Sequence, residues 1–137
     1  EGVIRPVGLS EVDIAEIEAA QAYFPVATVQ NRYNLADRTA EPILDYCEGH
    51  GIGFIPFFPL GAGALAKSDD LQPIAARLGV TAPQLALAWL LERSAVMLPI
   101  PGASSLPHVA DNAAAAAIRL SQDDLNQISA ISETLRR

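Results

Sequence analysis

Short apolar runs alternate with amphipathic segments along this chain. Four of the runs are bounded by turn residues and predict buried strands, at residues 6–9, 26–29, 53–58 and 96–100. Each is followed by apolar residues at helical spacing. The alternation predicts an α/β protein with a parallel sheet that is buried on both faces. Pro56, inside the third run, has no N–H to donate and predicts a bulge or a strand end there.

Capping residues mark the predicted helix boundaries. A hydroxyl residue followed three positions later by an acidic or amide residue predicts a helix start. Such pairs are Ser10 with Asp13, Thr81 with Gln84 and Ser121 with Asp124, and Ser105 is a single cap. Glycines just past a helix predict its end, here at Gly49, Gly51 and Gly79.

The number of strand–helix units limits the architecture. Four units in 137 residues form half of a (β/α)₈ barrel, which needs roughly 250 residues. A doubly wound sheet would need crossovers on both faces. Because the chain starts at Glu1 without a Met and reaches a strand within a few residues, we expect it to be part of a longer protein.

Charge and composition exclude several classes of function. The formal net charge is −7 and the basic residues are scattered, which argues against a nucleic-acid partner. No apolar run is long enough for a membrane span, so we expect no membrane association. The single cysteine, Cys47, excludes an internal disulfide and favours a cytoplasmic location. No metal site is predicted.

Polar and flexible residues follow each predicted strand. They are Ser10 and Glu11, Gln30 and Asn31, the glycine-containing residues 57–63, and residues 102–105. In barrel enzymes this carboxyl end of the sheet binds the ligand. The helix start after Ser105 could hold a phosphate group on its unpaired N–H groups, although an ordinary capped turn is the commoner explanation of such a stretch.

Four segments together resemble the second half of an aldo-keto reductase. They are Gly8-Leu9-Ser10, Val29-Gln30-Asn31 with Tyr33-Asn34, Phe58-Pro59-Leu60-Gly61, and Ile100 to Ser105 ending in Asp111-Asn112. Members of this family are (β/α)₈, or TIM, barrels that reduce aldehydes and ketones to alcohols with NADPH. The resemblance implies that residues 1–137 are the last four βα units with a C-terminal helix. The N-terminal half of the barrel would then be a missing partner.

The resemblance also implies how a nicotinamide would be held. Ser10 and Gln30 match residues that hydrogen-bond the carboxamide group. Phe57 matches an aromatic residue, usually Tyr, that stacks on the nicotinamide ring, and a phenyl face can stack as well. Glu11 stands where the family usually has Asn, so a second amide contact is not expected.

The remainder of the implied cofactor site falls in three groups. They are Leu60, Gly61 and Gly63 at the pyrophosphate, Gly102 and Ser104 at the adenosine phosphate, and Asp111 and Asn112 at the adenine. The family implies NADP(H) rather than NAD(H). The family often has Lys at the Gly102 position and Arg at the His108 position, gripping the 2′-phosphate. Their replacement here, together with the nearby Asp111, weakens that preference.

The family's catalytic Asp, Tyr, Lys and His belong to the first four βα units. The resemblance therefore implies no catalytic residue in this chain, and we assign none to Lys67, His50 or His108. The full-length protein would be an NAD(P)H-dependent oxidoreductase acting on a small carbonyl substrate. The isolated chain would be inactive.

Two alternatives differ in class from an oxidoreductase fragment. One is a non-catalytic nucleotide-binding half-barrel, and the other is a structural module whose open sheet edges pair with a second copy. A half-barrel leaves one sheet face uncovered, and a homo-oligomer is one way to cover it. We expect that face to include Val7, Val29, Ile55 and Leu98.

Overall fold

The computed structural model describes residues 2–135. Its strands and helices alternate as the sequence pattern predicts as far as the third strand, and only helices follow. They are β1 (Val7–Ser10), α1 (Ile14–Gln21), β2 (Val26–Arg32), α2 (Glu41–His50), β3 (Gly53–Phe57), α3 (Gln72–Leu78), α4 (Ala82–Arg93), α5 (Leu106–Ala114) and α6 (Gln122–Leu135), with short 3₁₀ turns at Gly61–Gly63, Leu65–Lys67 and Ala115–Ala117. Within the described range, no single helix is long and apolar enough to cross a membrane; α3 and α4 meet that requirement only as a pair bent by 85°.

The three strands form one parallel sheet in the order β1-β2-β3. Parallel pairing in sequence order agrees with the prediction and follows from right-handed βα crossovers. The prediction of a fourth strand is wrong for the part of the chain that the structure describes. Residues 96–100 contribute only an isolated parallel bridge between Phe54 and Met97.

Pro56 explains why the fourth strand is so short. The Phe54 N–H donates to the Val96 carbonyl, and the Leu98 N–H donates to the Phe54 carbonyl, each at 2.8 Å. The next bond of a parallel ladder would need an N–H at position 56, which proline lacks. The expected bulge or strand end is absent on the β2 side, since Pro56 pairs in register with Asn31 and β3 continues to Phe57.

The two faces of the sheet differ in their covering. Val29 and Phe54, which are register partners, are fully buried among the core residues packed against the helices. Burial of such a side chain stabilises the fold by roughly 1.5–3 kcal/mol. The opposite face carries Thr28, Gln30 and Ile55, which are only partly buried. We call it the inner face.

The expected membership of the inner face is therefore corrected. Side chains alternate along a strand, and Val29 lies on the side that packs against the helices. Leu9 is the register partner of Val29, and Val7 lies two residues before Leu9 in β1, so both are on the helix side as well. Ile55 and Leu98 do lie on the inner face, and Leu98 is 53% exposed. Gly8 allows close approach there, because a Cβ on it would lie 2.3 Å from Oγ1 of Thr28.

Most predicted caps are present, with two corrections. Ser10 is the last residue of β1, and the helix cap is Asp13, whose carboxylate accepts from the Glu16 N–H at 2.8 Å. Gly49 lies inside α2, which ends at Gly51. The confirmed boundaries are the Thr81–Gln84 capping box, the Ser105 cap, the Ser121–Asp124 hydrogen bonds and the left-handed ends at Gly51 and Gly79.

The helical layer packs around α4, which contributes buried residues on several sides. The ring of Trp89 stacks on Tyr33 at 6.0 Å between centroids. The C-terminal helix α6 docks through the fully buried Ile128 and through Ser132, whose hydroxyl donates to the Leu35 carbonyl at 2.6 Å. Cys47 is a buried free thiol, and burial raises its pKa to about 11.

Candidate functional site

The strand register brings the predicted nicotinamide contacts to one end of the inner face. Ser10 is paired with Gln30, and Gln30 with Ile55 in the next strand. Phe57 is paired with Arg32, and each lies two residues further toward the carboxyl end of its strand than the pair Gln30 and Ile55. Because residues opposite each other in register share a face, Ser10, Gln30 and Phe57 project from the same side of the sheet.

A groove continues from this end of the sheet toward α5. Its first part has a volume of about 480 Å³ and is lined by residues 58–60, 62–63 and 100–102. Its second part has a volume of about 440 Å³ and extends to His108, Asp111 and Asn112. Leu60 and Gly102 line both parts, so the two are continuous. The predicted residues Leu60, Gly63, Gly102, Asp111 and Asn112 therefore share one groove.

Gly61 and Ser104 are the predicted contacts that do not line this groove. The N–H of Gly61 donates to the Phe58 carbonyl at 2.9 Å, which closes the turn that leads into the groove. Ser104 is exposed in the loop before α5. The role of Gly61 is thus in the shape of the loop, which also has left-handed backbone at Ala62 and Gly63 (φ 53° and 90°).

The start of α4 supports the far end of the groove. Gln84 accepts a hydrogen bond from the Thr81 N–H at 3.0 Å and donates one to the Asp111 carbonyl at 3.2 Å. This side chain therefore completes a helix cap and also fixes α5 against α4. The ionisable side chains along the second part of the groove are Asp111 and His108.

Two asparagines near the end of β2 were missed as site residues by sequence reasoning. Oδ1 of Asn31 accepts from the Val12 N–H at 3.3 Å, and its Nδ2 donates to the Val12 carbonyl at 2.9 Å. Nδ2 of Asn34 donates to the Phe58 carbonyl at 2.9 Å. Each asparagine thus joins β2 to the loop that follows a neighbouring strand. The available signal was their place in the family-like segment Val29-Gln30-Asn31 with Tyr33-Asn34, which gives no partner for either side chain.

Arg32 lies above this end of the sheet. Its guanidinium is 5.7 Å from the centroid of the Phe58 ring, and its Nε is 3.0 Å from Oδ2 of Asp37. The rings of Phe57 and Phe58 meet edge to face at 5.4 Å. Phe57, to which the resemblance assigns nicotinamide stacking, is therefore held in contact with the ring of Phe58. The guanidinium of Arg32 lies over that second ring.

The most strongly perturbed ionisable groups lie away from the groove. Burial, followed by the hydrogen bond to Glu41, raises the pKa of the Tyr33 phenol. Burial alone would raise the pKa of Glu41, but hydrogen bonds from Arg38, Tyr33 and Arg93 lower it to about 2. Hydrogen bonding to Glu41 also raises the pKa of Arg38. This cluster joins α2 to α4 and is structural.

Lys67 and the two histidines are not assembled into a catalytic group. Lys67 is exposed in a 3₁₀ turn. His50 stacks on Tyr46 at 4.0 Å, at the end of α2, and only His108 lines the groove. Among residues 2–135, no three His, Cys, Asp or Glu side chains converge as metal ligands.

A parallel sheet with its polar residues at the carboxyl ends of the strands belongs to the α/β class. A sequence model of the aldo/keto reductase family matches residues 1–133, and the chain therefore belongs to the aldo/keto reductase family. The resemblance recognised in the sequence is confirmed.

Two relatives show how much of such a protein the chain represents. It is 51% identical to an uncharacterised oxidoreductase of Schizosaccharomyces pombe, over 90% of this chain and 40% of that protein. It is 40% identical to pyridoxine 4-dehydrogenase of Escherichia coli, over 96% of this chain and 46% of that protein. The chain thus spans less than half the length of these relatives.

The solved structures that this chain resembles are also about twice its length. An aldo-keto reductase of Klebsiella pneumoniae in complex with NADPH superposes with a TM-score of 0.87 at 34% identity, covering 96% of this chain and 49% of that one. A thermostable aldo-keto reductase in complex with the inhibitor epalrestat gives a TM-score of 0.87 at 30% identity, over 95% and 49%. The fold therefore matches about half of an aldo-keto reductase barrel.

Proposed function

We propose that residues 1–137 are the C-terminal half of an aldo-keto reductase barrel and supply its NAD(P)H-binding side. The proposal rests on the continuity between the inner face of the sheet and the groove. The inner-face end with Ser10, Gln30 and Phe57 leads into a groove that ends at Asn112. Adjacent strands lie about 4.8 Å apart, so a few strand ends and the groove suit an extended dinucleotide.

The residues of the groove fit the chemistry of a dinucleotide. Gly63 and Gly102 leave room for the backbone to approach phosphate oxygens, and a Cβ on either would meet no atom within 4 Å. Asn112 is half-buried at the far end and offers an amide donor and acceptor for a purine edge. The apolar Leu60, Ile100 and Pro101 would exclude water along the middle.

A reduced nicotinamide cofactor, when bound there, would supply the hydride for reduction of the carbonyl carbon of a small aldehyde or ketone. Ser10 and Gln30 would hold the carboxamide, and Phe57 would limit the tilt of the ring. A proton for the carbonyl oxygen would come from outside this chain. The phenol of Tyr33 is fully buried and donates to Glu41, so it cannot reach a substrate at the inner face.

NADP(H) is the proposed cofactor, ahead of NAD(H). Two of the structural relatives were solved with NADPH or NADP bound. In this chain, Asp111 opposes an additional phosphate at the second part of the groove, and His108 is the only basic side chain among residues 2–135 that lines it. We therefore propose a modest preference for NADP(H).

The exposed apolar residues of the inner face are equally consistent with the non-catalytic alternative, a half-barrel that binds nucleotide or pairs with a second copy. Leu98 and Ile100 are 53% and 48% exposed. Apolar surface of this kind requires a covering partner. The N-terminal half of the barrel and a second copy would both provide one.

Titration of the protein with NADPH and NADH, followed by fluorescence quenching of the nicotinamide, tests the proposed function. We expect saturable binding that Asn112→Ala weakens by about 1 kcal/mol, because the adenine loses hydrogen bonds. Glu133→Ala, on the exposed surface of α6, is the matched control and should leave affinity unchanged. Equal affinities for all three proteins would contradict the placement of adenine.

A further inference from the structure

The loops that follow β1 and β3 share an unusual backbone feature. Glu11 directly follows β1 with φ 55°, and Phe58 directly follows β3 with φ 52°. A residue with a side chain is disfavoured in this left-handed region and persists there only when its surroundings fix it. Both outer strands of the sheet therefore end in a turn that needs support.

The central strand and the segment that directly follows it supply that support, one on each side. Asn31 holds the Val12 backbone, one residue beyond Glu11, through two hydrogen bonds. Asn34 donates to the carbonyl of Phe58, which also accepts from the Gly61 N–H. Asn34 is only 1% exposed, and its Oδ1 accepts from the N–H groups of Ala36 and Asp37. It is therefore fixed before it bonds Phe58.

Each supported turn lies next to a proposed cofactor contact. Ser10 directly precedes Glu11, and Phe57 directly precedes Phe58. A change of φ at Glu11 or Phe58 would redirect the loop relative to these contacts. In the second turn it would also move Leu60 out of the groove wall.

We propose that Asn31 and Asn34 are positioning residues for the dinucleotide. They set the separation between the nicotinamide contacts at the strand ends and the loop along the groove, without touching the cofactor themselves. This inference rests on the proposed function, because it assigns the two side chains to the same site. It predicts that loss of either amide donor lowers affinity for the whole dinucleotide much more than affinity for its adenosine half.

The variants Asn31→Asp and Asn34→Asp test this in the full protein as it is naturally expressed. Each keeps an oxygen acceptor and loses the N–H donor. We expect the dissociation constant for NADPH to rise roughly tenfold at pH 8, as expected for one lost hydrogen bond. The dissociation constant for AMP should change much less, because Leu60 is the only residue of the two supported turns that lines the α5 part of the groove in the described chain.

Acidification gives a readout that a purely structural role would not move. A protonated carboxylic acid donates one hydrogen bond, so the introduced acid can again donate to the Val12 or Phe58 carbonyl at low pH. The defect in NADPH binding should shrink as the pH is lowered. Asn126→Asp, on the exposed surface of α6, is the control and should show neither the defect nor the recovery.

The outcomes separate this inference from the proposed function. A native protein that binds neither NADPH nor AMP overturns both. A native protein that binds NADPH, with variants that bind it equally tightly, overturns the positioning role alone. The same holds for variants that melt at lower temperature but bind with native affinity. Each asparagine supports a different turn, so a folding failure of one variant leaves the other to decide.

Discussion

The hydroxyl of Tyr33 donates a 2.8 Å hydrogen bond to Oε2 of Glu41, eight residues further along the chain. The other carboxylate oxygen of Glu41 accepts from Nε of Arg93 at 2.6 Å, across the boundary between α2 and α4. Arg38 completes the set and lies over the ring of Trp89. A carboxylate with three donors at a helix interface ties the stability of the helical layer to pH.

The first prediction follows from that carboxylate. Hydrogen bonds hold the pKa of Glu41 at about 2, below its ordinary 4.5. A group with a depressed folded pKa stabilises the fold above its unfolded pKa, and this contribution is lost as the pH falls through the folded pKa. We expect the free energy of unfolding, measured with urea, to drop by at most about 3 kcal/mol on this account as the pH falls from 4.5 to 2.

A pair of substitutions isolates the contribution of Glu41. Glu41→Gln should be less stable than the native protein at pH 7, because Arg38 and Arg93 each lose one charged partner, and should lose less stability on acidification. Glu92→Gln, on the exposed side of α4, should follow the native profile. Asp124, whose pKa hydrogen bonds from Ser121 and Arg77 lower to about 2, contributes to the acid loss in all three proteins. Identical acid profiles for both variants would contradict the assignment.

The second prediction concerns Phe57. Phe57→Ala should weaken NADPH binding by about 1 kcal/mol or somewhat more through lost stacking. Affinity and melting temperature should be measured together, since Phe57 also contacts the ring of Phe58. Tyr23→Ala, at an 88% exposed position, is the control. A lower melting temperature with an unchanged dissociation constant would make Phe57 a packing residue only.

The third prediction is that the isolated chain does not reduce carbonyl compounds above background with NADPH or NADH. A positioned general acid contributes about 10²–10⁴-fold to such reactions. In residues 2–135, no tyrosine–lysine pair is assembled beside the strand ends, and Tyr33 is committed to Glu41. Nitrobenzaldehyde is a suitable broad substrate. Turnover by the purified chain would show that it carries its own proton donor.

The fourth prediction concerns assembly. Alone, the chain should dimerise, capture the other half of the barrel or aggregate, because the inner face exposes Leu98 and Ile55. Leu98→Ser should reduce self-association in sedimentation velocity. Leu106→Ser, at an 85% exposed position on α5, should not. A stable, cooperatively folding 14.5 kDa monomer would refute the need for a partner.

Features encoded in a few neighbouring residues were predictable from the sequence. The Thr81–Gln84 capping box and the left-handed helix end at Gly79 depend on contacts within one helical turn, and both are present. Strand order followed from the alternation of units. The first helix cap was misplaced because Ser10 and Asp13 are both good caps, and the register with Gln30 keeps Ser10 in β1.

Features that join distant segments were not predictable. Asn34 and Phe58 are 24 residues apart, and Asn31 and Val12 are 19 apart, so no local pattern signals either contact. The face on which Val29 lies depends on strand register, which shifts between Val7 and Gly8. The residue roles in the cofactor site came from family resemblance rather than from periodicity, and they stay predictions.

The prolines near the end of the sheet have a consequence for unwanted association. An exposed strand edge with free N–H groups is a template on which another chain can add a strand. In residues 96–101, Pro99 and Pro101 cannot donate, and Pro56 has already interrupted the ladder from the other side. Fibrillar growth from this side of the sheet is therefore blocked at the backbone. In the described part of the chain, the free edge of β1 is the one that remains able to recruit a foreign strand.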